Sequence, residues 1–253
     1  MKNPLWEGVY HNFQDVPVTG PGFSGHDWIE NSSEKLSNFK SLASNSSTVP
    51  SVIGYTDSLL PVIAGIVQGN KKKVKILDFG GGLGFSFYHV REALGETKNF
   101  ELYVVDIEEV CTAGEKLFHD EPQIEFHSDV TDILHERFDI VHIGSSLQYI
   151  EQRQDQLSVL CQFNPEYILM ANIPAGDIRT FATAQNYYGS TIACWFFNVE
   201  ELSSTMLQNN YGLIFKSSYF TKLYGVEQPY PLENFKEEYR VKYPCMLLFQ
   251  KQS

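Results

Sequence analysis

The stretch KILDFGGGLGFSF, residues 75–87, constrains the fold more than any other part of the chain. A short apolar run carries an aspartate near its end, and four glycines then fall within five positions. The run reads as a buried strand, and glycines let the backbone turn sharply and approach a ligand with no Cβ in the way. Loops of this kind hold nucleotide cofactors, and the spacing decides which. A dinucleotide fold needs G-x-G-x-x-G, in which the third glycine lets helix and strand pack closely and the helix N-terminus faces a pyrophosphate. Counted from Gly80 and Gly82, that third position is Phe85, so the pattern fails there. The spacing that fits is D-x-G-x-G-x-G, carried by Asp78, Gly80, Gly82 and Gly84.

Around this loop, strands and helices alternate. A helix is expected through YTDSLLPVIAGIV, then strand VKILDF, helix FSFYHVREAL, strand FELYVVD, helix EEVCTAGEKLF and strand QIEFHS. Strand FDIVHIG, helix DQLSVLCQF and strand YILMANI follow, then an irregular aromatic stretch, helix VEELSSTMLQNN and two late strands, GLIFKSSYF and CMLLFQK. Apolar strands separated by helices are what a parallel sheet covered on both faces requires. The late strands are joined by a proline-bearing segment with no clear helix, so the final strand is expected to run antiparallel at one end of the sheet. Asn198 with Glu201, and Asp27 with Glu30, have capping-box spacing and are expected to open helices. SLASNSSTVPS, residues 41–51, reads as a linker.

Composition narrows the function classes. Of 253 residues, 43% are apolar and 20% charged, as in ordinary globular chains. No apolar run reaches the roughly 18 residues of a spanning helix, and MKNPLWEGVYHNF lacks the apolar core of a secretory signal, so no membrane insertion and a cytoplasmic location are expected. A net charge of -12 opposes nucleic acid as a partner. Cys111, Cys161, Cys194 and Cys245 show no paired ligand spacing; no metal site is expected, and they read as reduced, packed thiols.

The D-x-G-x-G-x-G loop, with Asp106 closing LYVVD and Asp129 in EFHSDV, resembles the first motif and following strand ends of the class I S-adenosylmethionine-dependent methyltransferases. The resemblance covers residues 52–253. It implies an α/β, Rossmann-like fold with a seven-stranded, mostly parallel sheet ordered 3-2-1-4-5-7-6 and an antiparallel late strand. Residues 1–50 form an N-terminal extension, expected to serve as an acceptor lid, and 51–253 the methyltransferase domain. The implied cofactor is S-adenosyl-L-methionine, whose sulfonium, ammonium and ribose diol call for carboxylates. Asp78, Gly80, Gly82 and Gly84 would hold its methionine side. Asp106 would accept from the ribose hydroxyls, a role that also suits NAD. Ser128, Asp129 and Val130 would read the adenine, and Ser145 would lie beside the methionine part.

A methyl acceptor that is an alcohol must lose a proton, so a base within reach is expected. His26, in the glycine-flanked GFSGHDW, is the leading catalytic candidate, with His11 similarly placed. His119, His127, His135 and His142 read as structural or surface residues, and His89 as packed. Tyr149 is a second catalytic candidate, able to orient the acceptor, with Gln148 beside it, and Asn172 is a candidate for substrate binding. The aromatic residues of AGDIRTFATAQNYYGSTIACWFF form either a wall suited to a sugar or planar ring, or core. WEGVYHNF and GFSGHDWI further resemble an uncharacterised group of methyltransferases encoded among bacterial surface-polysaccharide genes. That implies methyl transfer to an oxygen of a sugar or glycan-related small molecule in polysaccharide biosynthesis. Two alternatives stand beside it: a nicotinamide-dependent oxidoreductase or epimerase, and a cofactor-binding relative without turnover. Acceptor identity and oligomeric state stay open.

Overall fold

A computed structural model describes residues 4–44, 59–94, 99–220, 222–223 and 226–252. Strand β1 (Trp6–Tyr10) precedes helix α1 (His26–Ser44) and helix α2 (Leu59–Gln68). The alternating region then runs β2 (Val74–Phe79), α3 (Phe85–Leu94), β3 (Phe100–Val105), α4 (Glu108–Leu117), β4 (Ile124–His127) and β5 (Ile140–Gly144). It continues with α5 (Arg153–Gln162), β6 (Tyr167–Ile173), β7 (Ala175–Gly176), β8 (Phe181–Tyr187), β9 (Ser190–Asn198) and α6 (Val199–Gln208). Last come β10 (Tyr211–Ser218), the two-residue strands β11 (Lys222–Leu223) and β12 (Val226–Glu227), and β13 (Cys245–Lys251).

Seven strands form one sheet in the order β10-β13-β6-β5-β2-β3-β4. Numbered from β2, this is 3-2-1-4-5-7-6, read from the other edge. β2 pairs parallel with β3 and β5, and β3 with β4, whereas β10 and β13 are antiparallel. The final strand, β13, lies one place in from the edge strand β10, as the order 3-2-1-4-5-7-6 implies, and not at the very end of the sheet as the segment pattern alone suggests. Burial explains the order. Met246–Phe249 of β13 are buried, while Leu213, Ile214 and Phe215 of β10 are exposed, as suits an inner strand and its edge neighbour.

The chain divides into two compact units, one of His26–Ile143 with Phe163–Leu169, the other of Met1–Gly25, Gly144–Gln162 and Met170–Ser253. In the first, β2 and β3 are almost wholly buried, and Phe87, Tyr88, Phe100 and Phe118 pack edge to face or tilted beneath α3 and α4. α1 belongs to this unit: Phe39 meets Phe85, Tyr88 and His89 of α3, and Lys40 Nζ donates to the Leu117 carbonyl at the end of α4. α1 begins at His26, two residues earlier than a cap at Asp27 allows, so Asp27 is in the first turn. Its acidic side chain still suits that turn, where the backbone N–H groups point outward. α1 also runs through Ser44, into the stretch expected as linker; residues 45–51 of that linker and the expected start of α2 lie outside the described residues.

The second unit holds the largest departure from expectation. The aromatic stretch after β6 is not irregular but forms a four-stranded sheet ordered β1-β8-β9-β7. β8 and β9 are a hairpin, in register from Phe181↔Phe196 to Tyr187↔Ser190. Tyr188 and Gly189 turn it with φ of 47° and 72°, the two left-handed residues that a tight hairpin turn demands. Behind the sheet Trp6, Phe181, Phe196, Tyr230, Leu232 and Phe235 form a core with Val241.

Asn198 caps α6 as expected: its side-chain oxygen accepts from the N–H groups of Glu200 and Glu201 at 2.8 and 2.9 Å. The reciprocal half of the box is replaced. Thr180 takes the Asn198 N–H on its Oγ1 and donates to Glu201 Oε2. Asn198→Ala is expected to cost about 1 kcal/mol, a fall in Tm of about 2–4 °C for a chain of this size. An unchanged melt would assign the cap to Thr180 instead.

Candidate functional site

In the first unit, the site grows from the carboxyl ends of β2 and β3, where open α/β sheets bind ligands. After Phe79 the backbone enters the left-handed region at Gly80, Gly82 and Gly84, with φ of 67°, 58° and 83°. A side chain at any of the three would be strained. Gly84 also packs tightly: a Cβ there would come within 2.8 Å of Ile124 Cδ1.

Asp78, 2% exposed, sits beneath this loop. Its Oδ2 accepts from Ser86 Oγ in the first turn of α3, and its Oδ1 pairs with His142 Nδ1 of β5 at 2.8 Å. A carboxylate only accepts, so Nδ1 carries the proton in this pair. Asp106 is the second carboxylate. Its Oδ2 accepts from the Gly82 N–H and its Oδ1 from the Ile107 N–H, both at 2.8 Å. Burial raises its carboxyl above the usual aspartate range, the two N–H groups oppose that rise, and the charge of Asp78 adds to it. Asp106 therefore already tethers the loop through one lone pair on each oxygen, leaving others for a ligand.

Asp129 is exposed and caps a single 3-10 turn, Val130–Ile133, accepting from the Thr131 N–H at 2.8 Å. That bond holds its carboxyl below the usual range. Ser128 is exposed and Val130 half-buried beside it. His26 opens α1 with its side chain 83% exposed, its Nδ1 3.5 Å from Glu30 Oε2 one turn on. Two residues later, Trp28 brings Cη2 within 3.7 Å of where a Gly82 Cβ would stand. The start of α1 thus lies against the glycine loop.

In the second unit, Ser145 and Asn172 follow or end β5 and β6 with φ of 58° and 55°, unusual for residues other than glycine. They are linked: Ser145 Oγ accepts from Asn172 Nδ2 and from Gln148 Nε2, each at 3.0 Å. Gln148 Oε1 and Asn172 Oδ1 are buried with no hydrogen-bond partner among the described residues. Strained backbone with unpaired buried acceptors is costly and collects at functional sites. Tyr149 donates its hydroxyl to Gln185 Oε1 at 2.9 Å, and burial holds its phenol well above the ordinary tyrosine range. Phe23 stands edge-on to Tyr149 at 4.7 Å and 6.2 Å from Tyr187. Of the aromatic stretch, Trp195, Phe196 and Phe197 are core, while Tyr187 and Tyr188 stay half-exposed.

Three participants escape the sequence reading. On its own strand His142 reads as a structural or surface residue, yet it stands opposite Asp78 in the parallel register of β2 and β5. Ser86 and Trp28 were not singled out. Nothing local in the sequence signals His142 or Trp28; the register of β5 on β2 that gives His142 its partner exists only in the folded sheet.

Strand order, glycine loop and antiparallel late pair together define the Rossmann-like fold of class I methyltransferases. Solved structures share it. The chain is similar to the 1,6-didemethyltoxoflavin-N1-methyltransferase of Burkholderia thailandensis, solved with 1,6-didemethyltoxoflavin and S-adenosylhomocysteine, at TM-score 0.56 and 12% identity over 94% of this chain and 93% of that one. A SAM-dependent methyltransferase from Methanosarcina mazei gives 0.52 at 13% identity, over 74% and 97%. The magnesium protoporphyrin IX methyltransferase of Synechocystis PCC 6803, solved with SAM, gives 0.50 at 12%, over 87% and 91%. No protein-family model and no curated protein sequence matches the chain. Among the described residues no helix is long and apolar enough to cross a membrane.

Proposed function

We propose that the protein is an S-adenosylmethionine-dependent methyltransferase acting on an oxygen of a sugar or glycan-related small molecule, in polysaccharide biosynthesis. The observation that carries the cofactor is the pair of carboxylates at adjacent strand ends, the buried Asp78 and the part-buried Asp106, where the charge of Asp78 disfavours that of Asp106. A cationic ligand relieves that repulsion, whereas the pyrophosphate of a dinucleotide would add to it. The donor chemistry fits: an ammonium and a sulfonium suit carboxylates, and the diol of a ribose donates to the lone pairs Asp106 retains. When bound, S-adenosylmethionine supplies a methyl group activated by its sulfonium.

The chain's own residues then have separable duties. Gly80, Gly82 and Gly84 let the backbone approach the methionine side. Asp129 and the Val130 N–H, next to Ser128, offer an acceptor and a donor to the adenine. Ser145 supports the cofactor, and the unpaired Asn172 Oδ1 takes a hydroxyl proton of the acceptor in a hydrogen bond. His26, oriented by Glu30, removes the proton of the hydroxyl to be methylated, a different hydroxyl from the one bonded to Asn172. Tyr149 stays protonated and orients the acceptor, and its ring with Phe23 and Tyr187 offers faces on which a sugar stacks. Residues 1–50 supply the acceptor's cover.

Thermal melting tests the cofactor directly. S-adenosylhomocysteine at about 100 times its Kd should stabilise the chain by about 2.7 kcal/mol, which here raises Tm by about 5–10 °C, while NAD should give no shift. A shift with NAD alone sinks the proposal. Mass-detected methyl transfer to nucleotide sugars and glycan fragments then tests the acceptor.

A further inference from the structure

We propose that His142 is a positioning residue for the cofactor, its Nδ1–H clamping the Asp78 carboxylate in the orientation that the glycine loop needs. This inference rests on the methyltransferase function proposed above. Asp78 and His142 face each other in direct register on parallel neighbours, β2 and β5. Their side chains are 3% and 14% exposed. A carboxylate buried this far must be paired or it neutralises, and here each oxygen has a side-chain partner, His142 on one and Ser86 on the other.

The pairing determines more than charge. An unclamped carboxylate rotates about its Cβ–Cγ bond, but Asp78 is held from two sides by groups on β5 and α3. Above it, the Cγ and Oδ2 atoms fill the space where a Gly81 Cβ would stand, 2.6 Å away. One carboxylate therefore joins β5, β2, α3 and the loop, and the remaining lone pair on each oxygen is held in a fixed direction. An ammonium or N–H donor of the cofactor meets an acceptor that needs no reorganisation, the condition under which a charge-assisted bond contributes most. A histidine serves better here than a lysine, because it supplies one donor in a fixed plane.

Calorimetric titration of S-adenosylhomocysteine into wild type, His142→Asn and His142→Leu tests the clamp. Asparagine places its Nδ2 near the position of the lost Nδ1–H and should keep the Kd within about threefold, while leucine should weaken it by at least about tenfold. Wild-type affinity in the leucine variant overturns the proposal, and so does equal weakening in both variants. The wild-type chain provides a measurement independent of any variant's folding under strain. In ¹⁵N-histidine spectra the His142 Nδ1–H signal, identified by its loss in His142→Asn, should shift on saturation with S-adenosylhomocysteine. A signal that stays put while the ligand binds overturns the clamp and leaves the methyltransferase reading standing. Failure of wild type to bind the ligand at all removes that reading and this inference with it.

Discussion

Asp106→Ala is expected to weaken S-adenosylhomocysteine binding by about a hundredfold or more. In the proposed cofactor site, two ribose hydroxyls donating to this part-buried carboxylate would make charge-assisted bonds of about 1.5–3 kcal/mol each, and each 1.4 kcal/mol is about a factor of ten. The substitution also strips the Gly82 and Ile107 N–H groups of their acceptor, loosening the loop. Asp106→Asn, which keeps one carbonyl oxygen and loses the charge, should fall between alanine and wild type. Calorimetry reads all three, and unchanged affinity in the alanine variant would take Asp106 out of the site. The pH dependence follows from the raised carboxyl of Asp106. The unliganded chain favours its protonated form, so it loses stability as pH rises from the ordinary aspartate value through the raised one. Ligand binding needs the ionised form, so affinity should fall as pH drops into that same window. Asp106→Asn should lack both trends.

What the sequence revealed of this site follows from distance along the chain. The strand, loop and helix from Lys75 to Phe87 are one local unit, and its glycines, aspartate and apolar run each report on near neighbours. The places of Asp106 and Asp129 just past β3 and β4 were legible for the same reason, as the close of apolar strands. The β1-β8-β9-β7 sheet was not legible, because β1 pairs with a strand from the distant second half of the chain. Its hairpin is written in alanine, threonine and asparagine, weak strand formers apart from the threonine, beside aromatics that core and binding wall share. His142 shows the same limit at one residue. On its own strand it is a polar interruption, and only its partner across the sheet gives it a purpose.

Gly81→Ala should damage the glycine loop through the carboxylate beneath it. The new Cβ would stand 2.6 Å from both Cγ and Oδ2 of Asp78, closer than packed atoms allow. Asp78 cannot swing aside without breaking its bonds to His142 and Ser86, and Gly81 cannot retreat without moving the flanking left-handed turns. Overpacking of this kind costs about 1–3 kcal/mol, or a fall in Tm of about 2–12 °C at this chain length, and cofactor affinity should fall with it. Gly82→Ala is the useful contrast. It also strains the backbone, at φ 58°, but its Cβ meets nothing nearer than Trp28 at 3.7 Å, so its cost should be the left-handed penalty of about 1–2 kcal/mol alone. Asp78→Ala distinguishes the two causes, since it deletes the atoms that Gly81→Ala strikes. In that background Gly81→Ala should cost well under half its wild-type penalty, a coupling measured by a double-mutant cycle of melts. Gly82→Ala should cost as much there as before. Equal penalties for Gly81→Ala in both backgrounds would mean that the loop, and not the carboxylate beneath it, refuses the side chain.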